Sequence, residues 1–105
     1  MEWIKIFDSL SEGIKKVPLN DSMLINLKGE EICLFVTASG FWAIENKCPH
    51  QGLPLYGSTC ENDVLTCTFH FLPLNIRTGA CLKEGYKTAK TFPVQIREDG
   101  IYIEI

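Results

Sequence analysis

The chain has 105 residues, a net charge of −3 and an apolar fraction of 46 %, which is typical of one small globular domain and excludes a disordered or fibrous chain. Acidic and basic residues are mixed along it, which argues against a nucleic-acid-binding protein, and the slight acidic excess favours a partner with a basic docking surface. No run approaches the roughly 20 apolar residues that cross a bilayer, and the first residues lack a signal-peptide pattern, so we expect a cytoplasmic protein.

Short apolar runs separated by turn residues predict an all-β fold. A turn of helix is predicted after the first strand, with Asp8 as its N-cap and Gly13 as its stop. Asp99-Gly100 is a two-residue hairpin signal before the last strand. Strands of this length and spacing favour an antiparallel sandwich or small barrel. The predicted strands are residues 3–7, 23–27, 31–37, 41–44, 64–67, 72–76, 92–97 and 101–105.

Two segments, residues 46–57 and 67–79, interrupt this pattern. The first holds cysteine, histidine, two prolines and two glycines, and the second begins with a cysteine that is soon followed by a histidine. Such a composition is unsuited to a strand in a core. We therefore expect both segments to be loops that carry function.

The two histidines of the chain each follow a cysteine. Cys48 and His50 form a C-x-H pair, Cys67 and His70 form a C-x-x-H pair, and 16 residues separate His50 from Cys67. If the two loops face each other at one end of the β-fold, two thiolates and two imidazoles meet at one metal centre. These donors suit a Cys2His2 zinc site or an iron–sulfur cluster.

This C-x-H and C-x-x-H arrangement resembles the ligand motif of the Rieske family of iron–sulfur proteins. The matching stretches are residues 48–55 and 67–70, and residues 40–46 resemble the strand that leads into the first loop. Arg77-Thr78-Gly79 resembles the turn that follows the second loop. The resemblance implies a single Rieske-like domain over residues 1–105, an antiparallel β sandwich or barrel with a small cluster-binding subdomain formed by the two loops.

The resemblance also implies one [2Fe–2S] cluster of Rieske type and the role of each ligand. One iron takes Cys48 and Cys67, the other takes the Nδ1 atoms of His50 and His70, and two bridging sulfides complete both tetrahedra. Neutral imidazole in place of thiolate lowers the negative charge of the site. Rieske centres therefore have potentials of about −150 to +300 mV, against about −400 mV for plant-type clusters held by cysteine alone.

By the same resemblance, the protein is a soluble ferredoxin and not an enzyme acting alone. It would carry single electrons from a flavin-dependent reductase to a terminal oxygenase or reductase, as a monomer that binds neither nucleic acid nor membrane. The small redox subunit of an assimilatory nitrite reductase has the same fold and size and is an alternative. An iron–sulfur sensor is another, and a structural zinc module for protein contacts, which would be colourless, is an alternative of a different class.

The other three cysteines are not predicted to be ligands. Cys33 lies in an apolar run and is predicted to fill the core. Cys60 and Cys81 are predicted to be thiols in loops or at strand edges, and a regulatory disulfide between them is an alternative.

Apolar residues flank the ligands, and we expect them either to exclude water and meet the partner or to pack the loops together. Gly52 and Gly79 are predicted in turns with unusual backbone angles, and Trp3, Trp42 and Phe92 in the core. The flanking apolar residues are Leu53, Pro54, Leu55, Phe71, Leu72 and Pro73.

Departures from the high-potential members of the family indicate a low reduction potential. Those members join the two loops by a cysteine pair, whereas the matching positions here hold Leu53 and Thr68 or Phe69. They also place serine and tyrosine hydroxyls beside the cluster, where this chain has Leu72 and Leu74. Fewer hydrogen bonds to sulfur stabilise the reduced state less.

We predict a midpoint potential at the low end of the Rieske range, about −150 mV. A redox titration followed by visible circular dichroism measures it. A midpoint well above zero would contradict the argument from the missing hydroxyls and the missing bridge.

Overall fold

The computed structural model describes residues 2–49, 52–67, 72–83 and 85–105. Within them the fold is nearly all-β, as predicted, with one seven-residue helix. The elements in chain order are β1 Trp3–Phe7, α1 Leu10–Lys16, β2 Ser22–Leu27, β3 Glu30–Thr37, β4 Gly40–Glu45, β5 Thr59–Glu61, β6 Val64–Thr66, β7 Pro73–Asn75, β8 Thr91–Phe92, β9 Val94–Arg97 and β10 Gly100–Glu104.

The strands form three antiparallel sheets. The terminal sheet has the order β1-β10-β9, the base sheet β2-β3-β4-β8, and the ligand sheet β5-β6-β7. The base sheet is a meander, because β2, β3 and β4 are consecutive and joined by tight turns. Two of the sheets therefore consist largely of local hairpins, and the terminal sheet pairs the two ends of the chain.

Strand β3 is buried on both of its faces. Its side chains alternate by the period of two that a strand imposes: Ile32, Leu34 and Val36 face the core shared with the terminal sheet. Cys33 and Phe35 face the opposite core, which is shared with the ligand sheet. The base sheet is therefore the middle layer of the molecule, and the prediction that Cys33 fills the core is confirmed, since that residue is fully buried.

The helix differs from its prediction at both ends. Ser9, not Asp8, is the N-cap, and its hydroxyl accepts a hydrogen bond from the Glu12 N–H at 3.1 Å. Gly13 lies inside the helix and does not end it. A Cβ atom at Gly13 would come within 2.7 Å of the Ile101 side chain, so the glycine permits close packing of the helix on the core.

Two other differences concern strands. The single strand predicted over residues 92–97 is split at Pro93, so that β8 pairs with β4 while β9 pairs with β10. Proline has no N–H to donate to a neighbouring strand. At Pro93 the chain passes from the base sheet to the terminal sheet. Strand β5 was not predicted, because Thr59-Cys60-Glu61 is too short to show a period.

The functional loops and the helix lie at opposite ends of β4. Gly13 of the helix approaches Phe41, near the start of the strand, whereas Cys48 follows the end of the strand at Glu45. We call the second end the ligand-loop end. In the described part of the chain no helix is long and apolar enough to cross a membrane.

Gly79 is required by a close backbone approach. Its φ is +78°, and a Cβ atom there would come within 2.1 Å of the Ala89 carbonyl oxygen. The Ala89 N–H donates to the Gly79 carbonyl at 2.9 Å, so the contact closes residues 79–89 into a loop. The prediction of an unusual turn angle at Gly79 is confirmed.

We predict that Gly79→Ala destabilises the protein by about 2 kcal/mol or more, since strain and a clash act together. Gly85→Ala is the matched control: Gly85 has a φ of +88°, but beyond its chain neighbours no atom of the described residues lies within 4 Å of its added Cβ, so only about 1 kcal/mol of backbone strain is expected. Urea unfolding of the two variants measures the difference. Equal destabilisation would show that the approach to Ala89 is unimportant.

Candidate metal centre

The two predicted ligand loops are closed in the same way. The Cys48 N–H donates to the Leu53 carbonyl at 2.6 Å, and the Cys67 N–H donates to the Leu72 carbonyl at 3.0 Å. Each loop thus begins at a predicted ligand cysteine and closes on a leucine five residues later. In the first loop the Gly52 N–H also donates to the Cys48 carbonyl at 2.8 Å, and Gly52 has the predicted unusual angle, with φ +72°.

Both loop cysteines are buried in one core. Cys48 follows β4 of the base sheet and Cys67 follows β6 of the ligand sheet. Both are at most 1 % exposed and belong to the core that lies between these two sheets. The fold therefore buries the first cysteine of each motif in the same core.

The two histidines of the motifs, His50 and His70, lie outside the described residues, as do the intervening Thr68 and Phe69. Among the described residues no group of three or more metal-binding side chains meets. The described part of the site is its cysteine half.

The thiols of Cys33 and Cys60 are buried in the same core. Burial raises the pKa of Cys33 to about 12, with Glu31 adding to the effect. Burial likewise raises the pKa of Cys60 to about 11, with Asp63 contributing. The sequence predicts Cys48 and Cys67 as the thiolate ligands, one from each loop, and two thiolates in one core fit the cysteine half of a [2Fe–2S] site.

Asn46 fixes the start of the first loop, and the sequence analysis missed it. Its side chain is 8 % exposed. Its Oδ1 accepts hydrogen bonds from the backbone N–H groups of Leu55 at 2.9 Å and Tyr56 at 2.8 Å. The Cys33 thiol donates to the same oxygen at 3.4 Å. One amide oxygen therefore connects the start of the first loop, at Asn46, to its end, at Leu55 and Tyr56. The same oxygen connects the loop to Cys33 of β3.

Comparison with known families agrees with this geometry. A sequence model of the Rieske [2Fe–2S] domain matches residues 10–93, which is most of the chain and includes both loops. The chain belongs to the Rieske [2Fe–2S] domain family. The resemblance stated from the motifs is confirmed, and one Rieske-type [2Fe–2S] cluster is the prosthetic group of this domain.

Individual relatives extend the comparison. The chain is 33 % identical over 101 residues to the methanesulfonate monooxygenase ferredoxin subunit of Methylosulfonomonas methylovora, covering 95 % of this chain and 77 % of that one. A solved complex of reduced oxygenase and oxidised ferredoxin in carbazole 1,9a-dioxygenase matches with a TM-score of 0.79 at 22 % identity, over 96 % of this chain and 91 % of that one. The small subunit of an NADPH nitrite reductase matches with a TM-score of 0.82 at 14 % identity, over the full length of both chains. The two structures show that the fold is shared.

A disulfide between Cys60 and Cys81 is excluded by the register of the ligand sheet in this Rieske domain. Cys60 pairs with Leu65, Leu65 pairs with Leu74, and Leu74 forms a bridge with Cys81. Three strand spacings of about 4.8 Å separate the two cysteines, beyond the roughly 7 Å that a disulfide spans. Cys60 lies in β5, an edge strand of the ligand sheet, as predicted, and its side chain is 1 % exposed and part of the core.

A polar clamp ties the ligand sheet to the base sheet at the end away from the loops. Asp63, in the turn between β5 and β6, accepts from the Ser39 hydroxyl at 2.8 Å and from Arg77 Nε at 2.9 Å. Hydrogen bonds from Thr37 and Ser39, together with Arg77, lower the pKa of Asp63. The Arg77 guanidinium also lies over the Trp42 ring, 5.2 Å from its centroid. The Asn62-Asp63 turn signal in the sequence marks this position but does not indicate its partners.

The predicted apolar rim divides into two parts. Leu55 and Leu72 are buried and pack beside the loop cysteines, whereas Pro54 is exposed and Leu53 and Pro73 are half-buried. Phe71 lies outside the described residues. The burial of Leu55 and Leu72 confirms the predicted packing between the loops, and contact of the exposed part with a partner stays a prediction. Of the aromatics predicted in the core, Phe92 is buried, while Trp3 and Trp42 are half-buried.

We predict that Asn46→Ala lowers the free energy of unfolding by about 1–3 kcal/mol, because it removes the acceptor of the buried Leu55 N–H and of the part-buried Tyr56 N–H. Asn46→Asp keeps an oxygen at this position and is expected to cost less. The exposed Asn26 of β2 provides the control Asn26→Ala, with an expected effect below about 0.5 kcal/mol. Urea unfolding measures all three. An Asn46→Ala variant as stable as the control would contradict the role of the amide oxygen.

Proposed function

We propose that this Rieske domain is a ferredoxin that carries single electrons from a flavin-dependent reductase to a terminal oxygenase. The observation that carries the proposal is the pair of matching loops that bury Cys48 and Cys67 in one core. The 33 % identical relative is a ferredoxin subunit of a monooxygenase, which supports the same role. When bound, a [2Fe–2S] cluster accepts and releases one electron.

In this proposal the ligands are Cys48, His50, Cys67 and His70, and the protein is a monomer whose single domain spans residues 1–105. The chain's own contribution is to position the two loops on the core that lies between the base sheet and the ligand sheet. The same core excludes water from the cysteines. Leu55 and Leu72, both buried beside the cysteines, supply the dry surroundings that influence the potential of such a site.

The alternative of a nitrite reductase small subunit is supported by the fold match, but that match is at 14 % identity and concerns the fold alone. A small subunit of this kind would co-purify with a large sirohaem protein, whereas a diffusing ferredoxin would not. The zinc module is disfavoured by membership of an iron–sulfur family.

We predict that Cys48→Ala and His70→Ala each abolish or disrupt the cluster. Removal of one ligand leaves an iron without a complete tetrahedron. The measurement is the iron and acid-labile sulfide content of anaerobically purified protein, followed by electron paramagnetic resonance after dithionite reduction. Wild-type protein should be brown and give a Rieske-type signal.

Cys33→Ala is the matched control, because Cys33 is a buried thiol in the same core that the proposal does not use as a ligand. It should keep the signal. An unchanged Rieske signal in His70→Ala would overturn the ligand assignment. A colourless wild-type protein that contains zinc and takes up no cluster on reconstitution would overturn the proposed function.

A further inference from the structure

The first ligand loop is closed twice, once by the backbone and once by a side chain. The inner closure is the hydrogen bond from the Cys48 N–H to the Leu53 carbonyl at 2.6 Å. The outer closure is made by Asn46, whose Oδ1 accepts from the backbone N–H groups of Leu55 at 2.9 Å and Tyr56 at 2.8 Å. Cys48 therefore lies inside both closures, and the outer one depends on a single side chain.

Asn46 is itself held on the base sheet. Its N–H donates to the Glu31 carbonyl of β3 at 3.0 Å, and the Cys33 thiol, also of β3, donates to its Oδ1 at 3.4 Å. The Asn46 side chain is 8 % exposed, so water competes little for the amide oxygen. Asn46 thus fixes the far end of the first loop relative to β3.

The second ligand loop is attached differently. Among the described residues its closure is the backbone hydrogen bond from Cys67 to Leu72 at 3.0 Å, and both residues adjoin strands of the ligand sheet, β6 and β7. The first loop instead runs from β4, through residues 46–58, to β5 of another sheet. The longer loop, which joins two sheets, is the one that carries the side-chain closure.

The outer closure also keeps the surroundings of Cys48 apolar. The Leu55 side chain is fully buried in the core that holds both loop cysteines, and the Leu55 N–H is bonded to Asn46. Without that acceptor the buried N–H would require a water molecule as its partner. In an iron–sulfur site, solvent access is one of the properties that set the reduction potential.

We propose that Asn46 is a positioning residue for electron transfer: by holding the first loop closed around Cys48, it slows release of the cluster and keeps the reduction potential low. This inference rests on the proposed function. Asn46 acts through backbone groups of the loop and is not a ligand. Electron uptake adds negative charge to the site, so water admitted to the core would stabilise the reduced state and raise the potential.

The test compares Asn46→Ala with a variant of matched stability. I101V/I103V removes one methylene from each of two fully buried isoleucines in the core on the other face of the base sheet. It is expected to lower the free energy of unfolding to a similar degree, and urea unfolding checks the match. The single variant Ile103→Val takes its place if the double variant is the less stable of the two being compared.

Two measurements on anaerobically purified holoprotein report on the cluster. The first is the rate at which excess EDTA removes iron, followed by the loss of visible absorbance. It should be about tenfold or more faster in Asn46→Ala than in wild-type protein and nearly unchanged in I101V/I103V. The second is the midpoint potential from a redox titration, which should rise in Asn46→Ala and stay at the wild-type value in I101V/I103V.

Hydrogen exchange followed by mass spectrometry gives a readout that needs no electron transfer. Amide protection of residues 53–58 should fall in Asn46→Ala and persist in I101V/I103V. Asn46→Asp keeps an acceptor oxygen and should recover part of the slow iron release and of the protection. An Asn46→Asp variant that releases iron as fast as Asn46→Ala would show that the acceptor is unimportant and would overturn the proposal.

Equal iron release in Asn46→Ala and the matched variant would also overturn it, because Asn46 would then act only on the stability of the whole domain, and so would an unchanged potential. If Asn46→Ala holds no cluster, exchange is measured on apoprotein: protection lost at residues 53–58 in Asn46→Ala alone supports the proposal, and equal protection overturns it. A wild-type protein that takes up no cluster would overturn the proposed function instead, so the two failures are told apart.

Discussion

The rest of the structure depends on the burial of β3 on both faces. A strand has two faces, and in a small domain one of them commonly meets water. Here Ile32, Leu34 and Val36 pack under the terminal sheet, while Cys33 and Phe35 pack under the ligand sheet. The three short strands that carry Cys67 would have little apolar surface of their own to bury. These three strands are stabilised because β3 and β4 supply the other side of the core that they share.

Asn46 connects this layer to the first ligand loop. The amide oxygen takes donors from Leu55, Tyr56 and Cys33, so the loop is attached to the middle layer by a polar contact inside an apolar environment. Hydrogen bonds are strong in such an environment when every group has a partner, and a buried polar group that loses its partner lowers the stability of the fold. At the other end the clamp around Asp63 joins the ligand sheet to the base sheet.

Much of the fold could be predicted from the sequence, because its signals are local. The alternation of β3, the Asp99-Gly100 turn and the C-x-H and C-x-x-H motifs each occupy a few adjacent residues. The functions of Asn46 and Asp63 could not be predicted, since their partners are distant in sequence, Leu55 being 9 residues from Asn46 and Ser39 being 24 from Asp63, and the contacts depend on how two sheets meet. The burial of Cys60 was missed for a similar reason: β5 has three residues, too few for an alternating pattern to be recognised. The apolar and polar alternation of residues 92–97 continues through Pro93, although the chain passes there from the base sheet to the terminal sheet.

The pairing of β1 with β10 has a consequence for the order in which the protein folds. Trp3 pairs with Glu104, so this ladder closes almost the whole chain, whereas the meander of β2, β3 and β4 and the hairpins of the ligand sheet join near neighbours. Contacts at long sequence separation are the slow ones to form. We therefore expect the two layers that bear Cys48 and Cys67 to assemble first, with the chain ends docking afterwards as the rate-limiting step. In a protein made from its N-terminus, β1 would wait for its partner until β10 has been made, while the hairpins that lead to both ligand loops are already available.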